Sequence, residues 1–151
     1  MKTVYYVSNE HPRSHNKGGS SSKYKEMHSK RFKTRYMHLY PDLPTSESQL
    51  KSKIVYIHHN LSYYNIPDVD NISKPIIDAF TGVIYIDDKQ IISREANRIE
   101  LDEFSFVTVD MSDMPIEIAT DLNDFITNKE NDIILLSVNK IQLSDIKIGE
   151  I

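Results

Sequence analysis

Cysteine is absent from the 151-residue chain, so neither a disulfide nor a zinc–thiolate site holds it together. That absence fits a reducing compartment. Met1-Lys2 runs straight into a strand-like stretch with no signal-peptide pattern, so a cytoplasmic location is expected. No apolar run approaches the roughly 18 residues of a membrane span, so no membrane partner is expected, and no internal repeat is visible. Acidic residues are scarce in the first 60 positions, four against eleven Lys and Arg, a net +7. Residues 61–151 reverse the balance, with eighteen acids against seven bases, a net −11. All six histidines lie in the basic part. Two readings of this asymmetry stay open: a polyanion held by the first part beside a metal-centred site in the second, or one part packing on the other.

The length suits one domain with a real core, and 39% hydrophobic and 26% charged residues are ordinary for a globular chain. Thr3–Val7 reads as a short strand, and residues 8–22 as a loop whose His11 and His15 are solvated rather than metal ligands. From about Ser22 to Tyr40 the period is helical. Tyr24, His28, Phe32, Tyr36 and Tyr40 recur at i, i+4 and are assigned to the core. Lys23, Lys25, Lys30, Arg31, Lys33 and Arg35 lie mostly around that stripe and are assigned to DNA phosphates. Lys53–Leu61 is expected as a central strand, with His58 and His59 on opposite faces in packing or surface roles.

The densest chemistry lies in residues 66–91, IPDVDNISKPIIDAFTGVIYIDDKQI. If the chain is extended before Asp70, Asp68 and Asp70 leave one face. Asn71 suits a helix N-cap, Pro75 is tolerable within the first turn, and Gly82 suits the far end. Asp70, Lys74 and Asp78 then share a helix edge. Val83–Ile86 returns as a strand to a second acidic pair, Asp87-Asp88. Carboxylates converging on one point repel one another unless a cation sits among them, and oxygen-only ligands favour a hard ion, Mg²⁺ with Mn²⁺ as substitute. A lysine beside them suits metal-assisted phosphodiester cleavage. A calcium loop is excluded, because Ile72 and Ser73 stand where an oxygen ligand and a glycine are required. A solvated salt-bridged face is the plainer reading of Asp70, Lys74 and Asp78 taken alone.

The segments DVDNISKPIIDAFTG and DDKQI resemble, in residue type and spacing, the core of the RusA-type Holliday-junction resolvases. The resemblance implies an α+β fold, a small mixed sheet with helices packed on it. It further implies Mg²⁺ ligands Asp68, Asp70 and Asp88, a catalytic Lys74, and supporting roles for Asn71, Asp78 and Asp87. A homodimer acting on four-way DNA in recombination and repair, of bacterial, phage or prophage origin, is the expected partner arrangement. The rivals are a nuclease for flaps or forks and a non-catalytic DNA-binding protein. The basic residues many members carry before the first aspartate are replaced here by Asn65-Ile66-Pro67. Residues 1–110 are expected to form the RusA-like domain and residues 111–151 a C-terminal extension packed on it. Gln90–Glu100 and Phe104–Val109 are expected to pair as a hairpin. A helix from Pro115 and a strand over Ile133–Val138 are expected in the extension, which covers a sheet edge, extends a dimer interface or binds another protein.

Overall fold

A computed structural model describes residues 1–12, 21–59, 67–102 and 104–149; His15 and Asn65-Ile66 lie outside them. Four strands and three helices follow in the order β1 (Val4–Ser8), α1 (Ser21–Arg35), β2 (Leu50–His58), α2 (Val69–Ala79), β3 (Ile91–Glu100), α3 (Ile116–Thr127) and β4 (Asp132–Lys140). They form an α+β fold around one mixed sheet of order β1-β4-β2-β3. β2 and β3 run parallel, with Ile54 opposite Ala96, and β4 runs antiparallel to both β1 and β2. Among the described residues no helix is long and apolar enough to cross a membrane.

The aromatic stripe of α1 makes the core. Tyr24, His28, Phe32, Tyr36 and Tyr40 are all buried, because a four-residue period keeps one helix face on the sheet. Phe32 and Tyr6 of β1 meet Phe80, just beyond α2, at ring separations of 5.6 and 4.9 Å, both edge-on. Each such side chain contributes about 1.5–3 kcal/mol by leaving water. Regular α-helix ends at Arg35, and a short 3₁₀ turn over Met37–Leu39 carries Tyr40 inward.

Several expectations change. The apolar run Val83–Ile86 is no strand. Gly82, at φ +80°, lets the chain turn back so that Val83 and Ile84 donate to the Phe80 carbonyl, each at 3.0 Å. Val83, Ile84 and Tyr85 are buried, and the Tyr85 hydroxyl donates to the Ile77 carbonyl; the run plugs the end of α2. Nor does β3 pair with Phe104–Val109. It pairs in parallel with β2 across α2, and residues 104–109 lie outside any strand. Beyond residue 110 the chain supplies α3 and β4, and β4 fills the middle of the sheet rather than covering an edge.

Candidate active site

α2 begins three residues earlier than its sequence suggests. Asp68, with φ −68° and ψ 169°, is the N-cap, and its Oδ1 accepts the Asn71 amide at 3.0 Å. Asp70 therefore sits in the first helical turn, not on an extended segment. Both carboxylates are exposed at the positive end of the helix dipole. Pro75 is inside the helix, where it cannot donate to the Asn71 carbonyl.

An open groove of about 470 Å³ runs beside this helix start, between Val69, Asp70, Asn71, Ser73 and Lys74 on α2 and Arg94 and Ala96 on β3. The two elements run in opposite directions: Arg98 Nη1 reaches the Pro67 carbonyl at 3.4 Å, while Arg94 shares the groove with Lys74. Lys74 Nζ lies 2.7 Å from Asp78 Oδ1, and Lys25 of α1 lies 3.5 Å from Asp78 Oδ2. Asp78 thus supports Lys74 with a charge-assisted bond.

Asp88 stands elsewhere. It opens a 3₁₀ turn, Asp88–Gln90, immediately before β3. Asp87 caps that turn by accepting the Lys89 amide at 2.9 Å, a bond that, with the Asp88 side chain beside it, holds the Asp87 carboxyl below its ordinary pKa. Gln90 Oε1 accepts the Ile86 and Asp87 amides, each at 2.8 Å, and its Nε2 donates to the Thr45 and Glu47 carbonyls. Asp87 and Gln90 therefore shape the DDKQI segment, leaving the Asp88 side chain half-buried at its rim. Asp70 shares the groove with Ala96 of β3, whereas Asp88, on the turn before that strand, is not among the groove's lining residues.

One chain thus sets Asp68 and Asp70 at the start of α2 and Lys74 at its middle, and Asp88 on the turn before β3. Among the described residues no three His, Asp or Glu side chains are grouped to hold a metal ion. Chemically the set still suits a hard cation: all donors are oxygens, and none of Asp68, Asp70 and Asp88 has an ion-pair partner among the described residues.

The six basic residues of α1 divide. Lys23, Lys30 and Lys33 are exposed and form no ion pair among the described residues. Lys25 is on Asp78. Arg31 donates to the Val7 carbonyl at 3.0 Å and lies 5.7 Å over the Phe125 ring. Arg35 makes a bidentate pair with Asp121 of α3, with contacts of 2.8 and 2.9 Å from Nη2. Internal packing of the basic part on the acidic part is therefore seen at Lys25, Arg31 and Arg35.

Two features escaped sequence reasoning. Arg94 of the groove is marked only by β3's alternation, which puts it on one face with Ala96 and Arg98. The second is a buried cluster on Asp132, which accepts the Tyr56 hydroxyl and lies 3.2 Å from His58 Nδ1 and 3.1 Å from His11 Nδ1. Residues 121 and 74 positions apart make it, so no local pattern shows it. His11 is thus half-exposed but bonded, not simply solvated, and His58 is a packing residue.

Fold and groove together define an α+β domain with acids and cations lining one cleft. The description Endodeoxyribonuclease RusA belongs to a family model that matches residues 8–111. The chain belongs to the RusA family of endodeoxyribonucleases. No curated protein is significantly similar to it.

Proposed function

We propose that this protein is a homodimeric, Mg²⁺-dependent Holliday-junction resolvase of recombination and repair, each site being completed by two chains. The observation that carries this reading is that, among the described residues, one chain does not group Asp88 with Asp68 and Asp70: Asp70 lines the groove and Asp88 does not. β3 is one of the two edge strands of the sheet, ten residues long, and such an edge is a template for pairing. Val69, Ile86 and Ile92, on or beside it, are exposed apolar side chains. A two-fold axis at that edge sets two β3 strands antiparallel. Asp88 of each copy then approaches Asp68 and Asp70 of the other.

In that arrangement the three carboxylates hold the cation. Bound Mg²⁺, with Mn²⁺ as substitute, supplies a more acidic water and neutralises charge on the phosphate. Lys74, steadied by Asp78, donates to the oxygen on which charge develops. Lys23, Lys30 and Lys33 hold the phosphates of an outgoing arm. Two symmetric sites match the two cuts a four-way junction needs.

Mixing two inactive variants tests both chemistry and assembly. Asp70→Asn and Asp88→Asn are each expected to leave labelled junctions uncut in Mg²⁺. After subunit exchange, the mixed dimer carries both lesions in one site and an intact second site, so single-strand nicks should appear. No recovery, despite proven exchange, would mean that each site lies within one chain. Flap, fork and linear duplex substrates, with EDTA controls, check the preference for junctions and the metal dependence.

A further inference from the structure

We propose that Arg94 is the side chain that grips a backbone phosphate of the DNA strand lying in the groove, an inference that rests on the nuclease reading above. The other cations around this cleft are already engaged. Lys74 and Lys25 are on Asp78, and Arg98 pairs with Glu100 at 3.3 Å while reaching the Pro67 carbonyl. Arg94 is exposed, lines the groove opposite Lys74, and forms no ion pair among the described residues.

Its surroundings account for that. The neighbouring acid of β3, Glu95, points the other way under strict alternation, where Lys51 and Lys53 of β2 hold it at 3.1 and 3.4 Å. On the groove face only Ala96 separates Arg94 from Arg98. A methyl group there keeps the cleft floor low, so an incoming strand meets the guanidinium before it meets a wall. A guanidinium fork matches two phosphate oxygens at once, which an ammonium cannot do. Arg94 is accordingly a ground-state anchor for the strand, distinct from Lys74, which acts on the reacting oxygen.

The test uses full-length protein with a synthetic four-way junction, comparing Arg94→Gln, Arg94→Lys and, as a charge control away from the groove, Lys147→Ala. Binding is measured in EDTA over a salt series and single-turnover cleavage in Mg²⁺, with thermal melts on every variant. Arg94→Gln should bind at least about tenfold more weakly and flatten the log–log salt slope by about 0.9, the value for one phosphate contact. Arg94→Lys should restore the slope but only part of the affinity. The half-saturating enzyme concentration should rise far more than the saturated rate falls. Affinity and slope equal to those of Lys147→Ala would overturn the assignment, as would a loss that merely tracks the melting temperature and is unrelieved by lysine. Wild-type protein that neither binds nor cuts branched DNA would overturn the nuclease reading instead.

Discussion

Two populations of carboxylates share this molecule. Asp78, Asp121 and Asp132 are largely covered, with side-chain exposures of 17, 17 and 11%, and each is met by several donors. Asp78 has two lysines, Asp121 has Arg35 and the Tyr36 hydroxyl at 2.5 Å, and Asp132 has a tyrosine and two histidines. Asp68 and Asp70 are exposed, Asp88 is only half-buried, and none of the three is given a cation by the fold. Lys25, Lys74, Arg35, His11 and His58 are engaged by the first set. The second is the set that the proposed site would use, and that contrast separates it from the acids that hold the fold.

The contrast breaks most visibly at Asp70. Asp70→Asn should lower junction cleavage by roughly a thousandfold, about 4 kcal/mol of barrier, while junction binding stays level or tightens as repulsion falls. Asp78→Asn, which releases Lys74 and Lys25, should cost about tenfold. Equal losses in single-turnover assays would show that the two acids do not differ in kind.

Asp132 sharpens the opposite side. Asp132→Ala leaves the buried Tyr56 and His58 groups without their acceptor, and should lower unfolding free energy by about 3 kcal/mol in urea titrations. The cleavage rate per folded molecule should hardly change. A specific rate loss with intact stability would move this cluster into the site.

A further effect, spread over several pH units, concerns a buried base. Burial first, and the nearby Arg31 charge second, push His28 down to about 3 from 6.5. Its Nδ1 pairs with the Tyr6 hydroxyl at 2.5 Å. The unfolded chain therefore binds the extra proton below about pH 6.5, and the folded protein does not until about pH 3. Stability is full above 6.5 and falls with acidity across that window, by on the order of 1.4 kcal/mol per pH unit. His28→Gln should flatten this component in urea titrations between pH 6.5 and 4; an unaltered profile would assign the acid sensitivity to the carboxylates.

Much of this was legible in sequence because it is local. The i, i+4 aromatic series named the buried face of α1, Gly82 marked a turn, and the helix and strand expected after Pro115 appear as α3 and β4. What stayed hidden depends on partners far along the chain. Alternation announces that β3 is a strand but not that its neighbour is β2, and Phe104–Val109 alternates without pairing at all. Asp68 and Asn71 are both good caps three residues apart, and burial of Ile72 and Ser73 decides for the earlier one. The family resemblance groups Asp88 with Asp68 and Asp70, and within one chain the parallel crossover sets it on the turn before β3, outside the groove lining. Arg35 met Asp121, 86 positions away, so half of a basic stripe turned out to be internal fastening.

The position of β4 between β1 and β2 has a consequence for how the chain acquires its shape. Val4 pairs with Val138 and Tyr6 with Leu136, contacts that close very long loops and are therefore made late. During synthesis β2, α2 and β3 form a consecutive unit that can assemble as it emerges, groove included, whereas β1 must wait for residues 132–140. Until then two strand edges stand open, each a point for misassociation. The last strand thus acts as a zip on a sheet whose groove is already in place, and yield of soluble protein should depend on how quickly it closes.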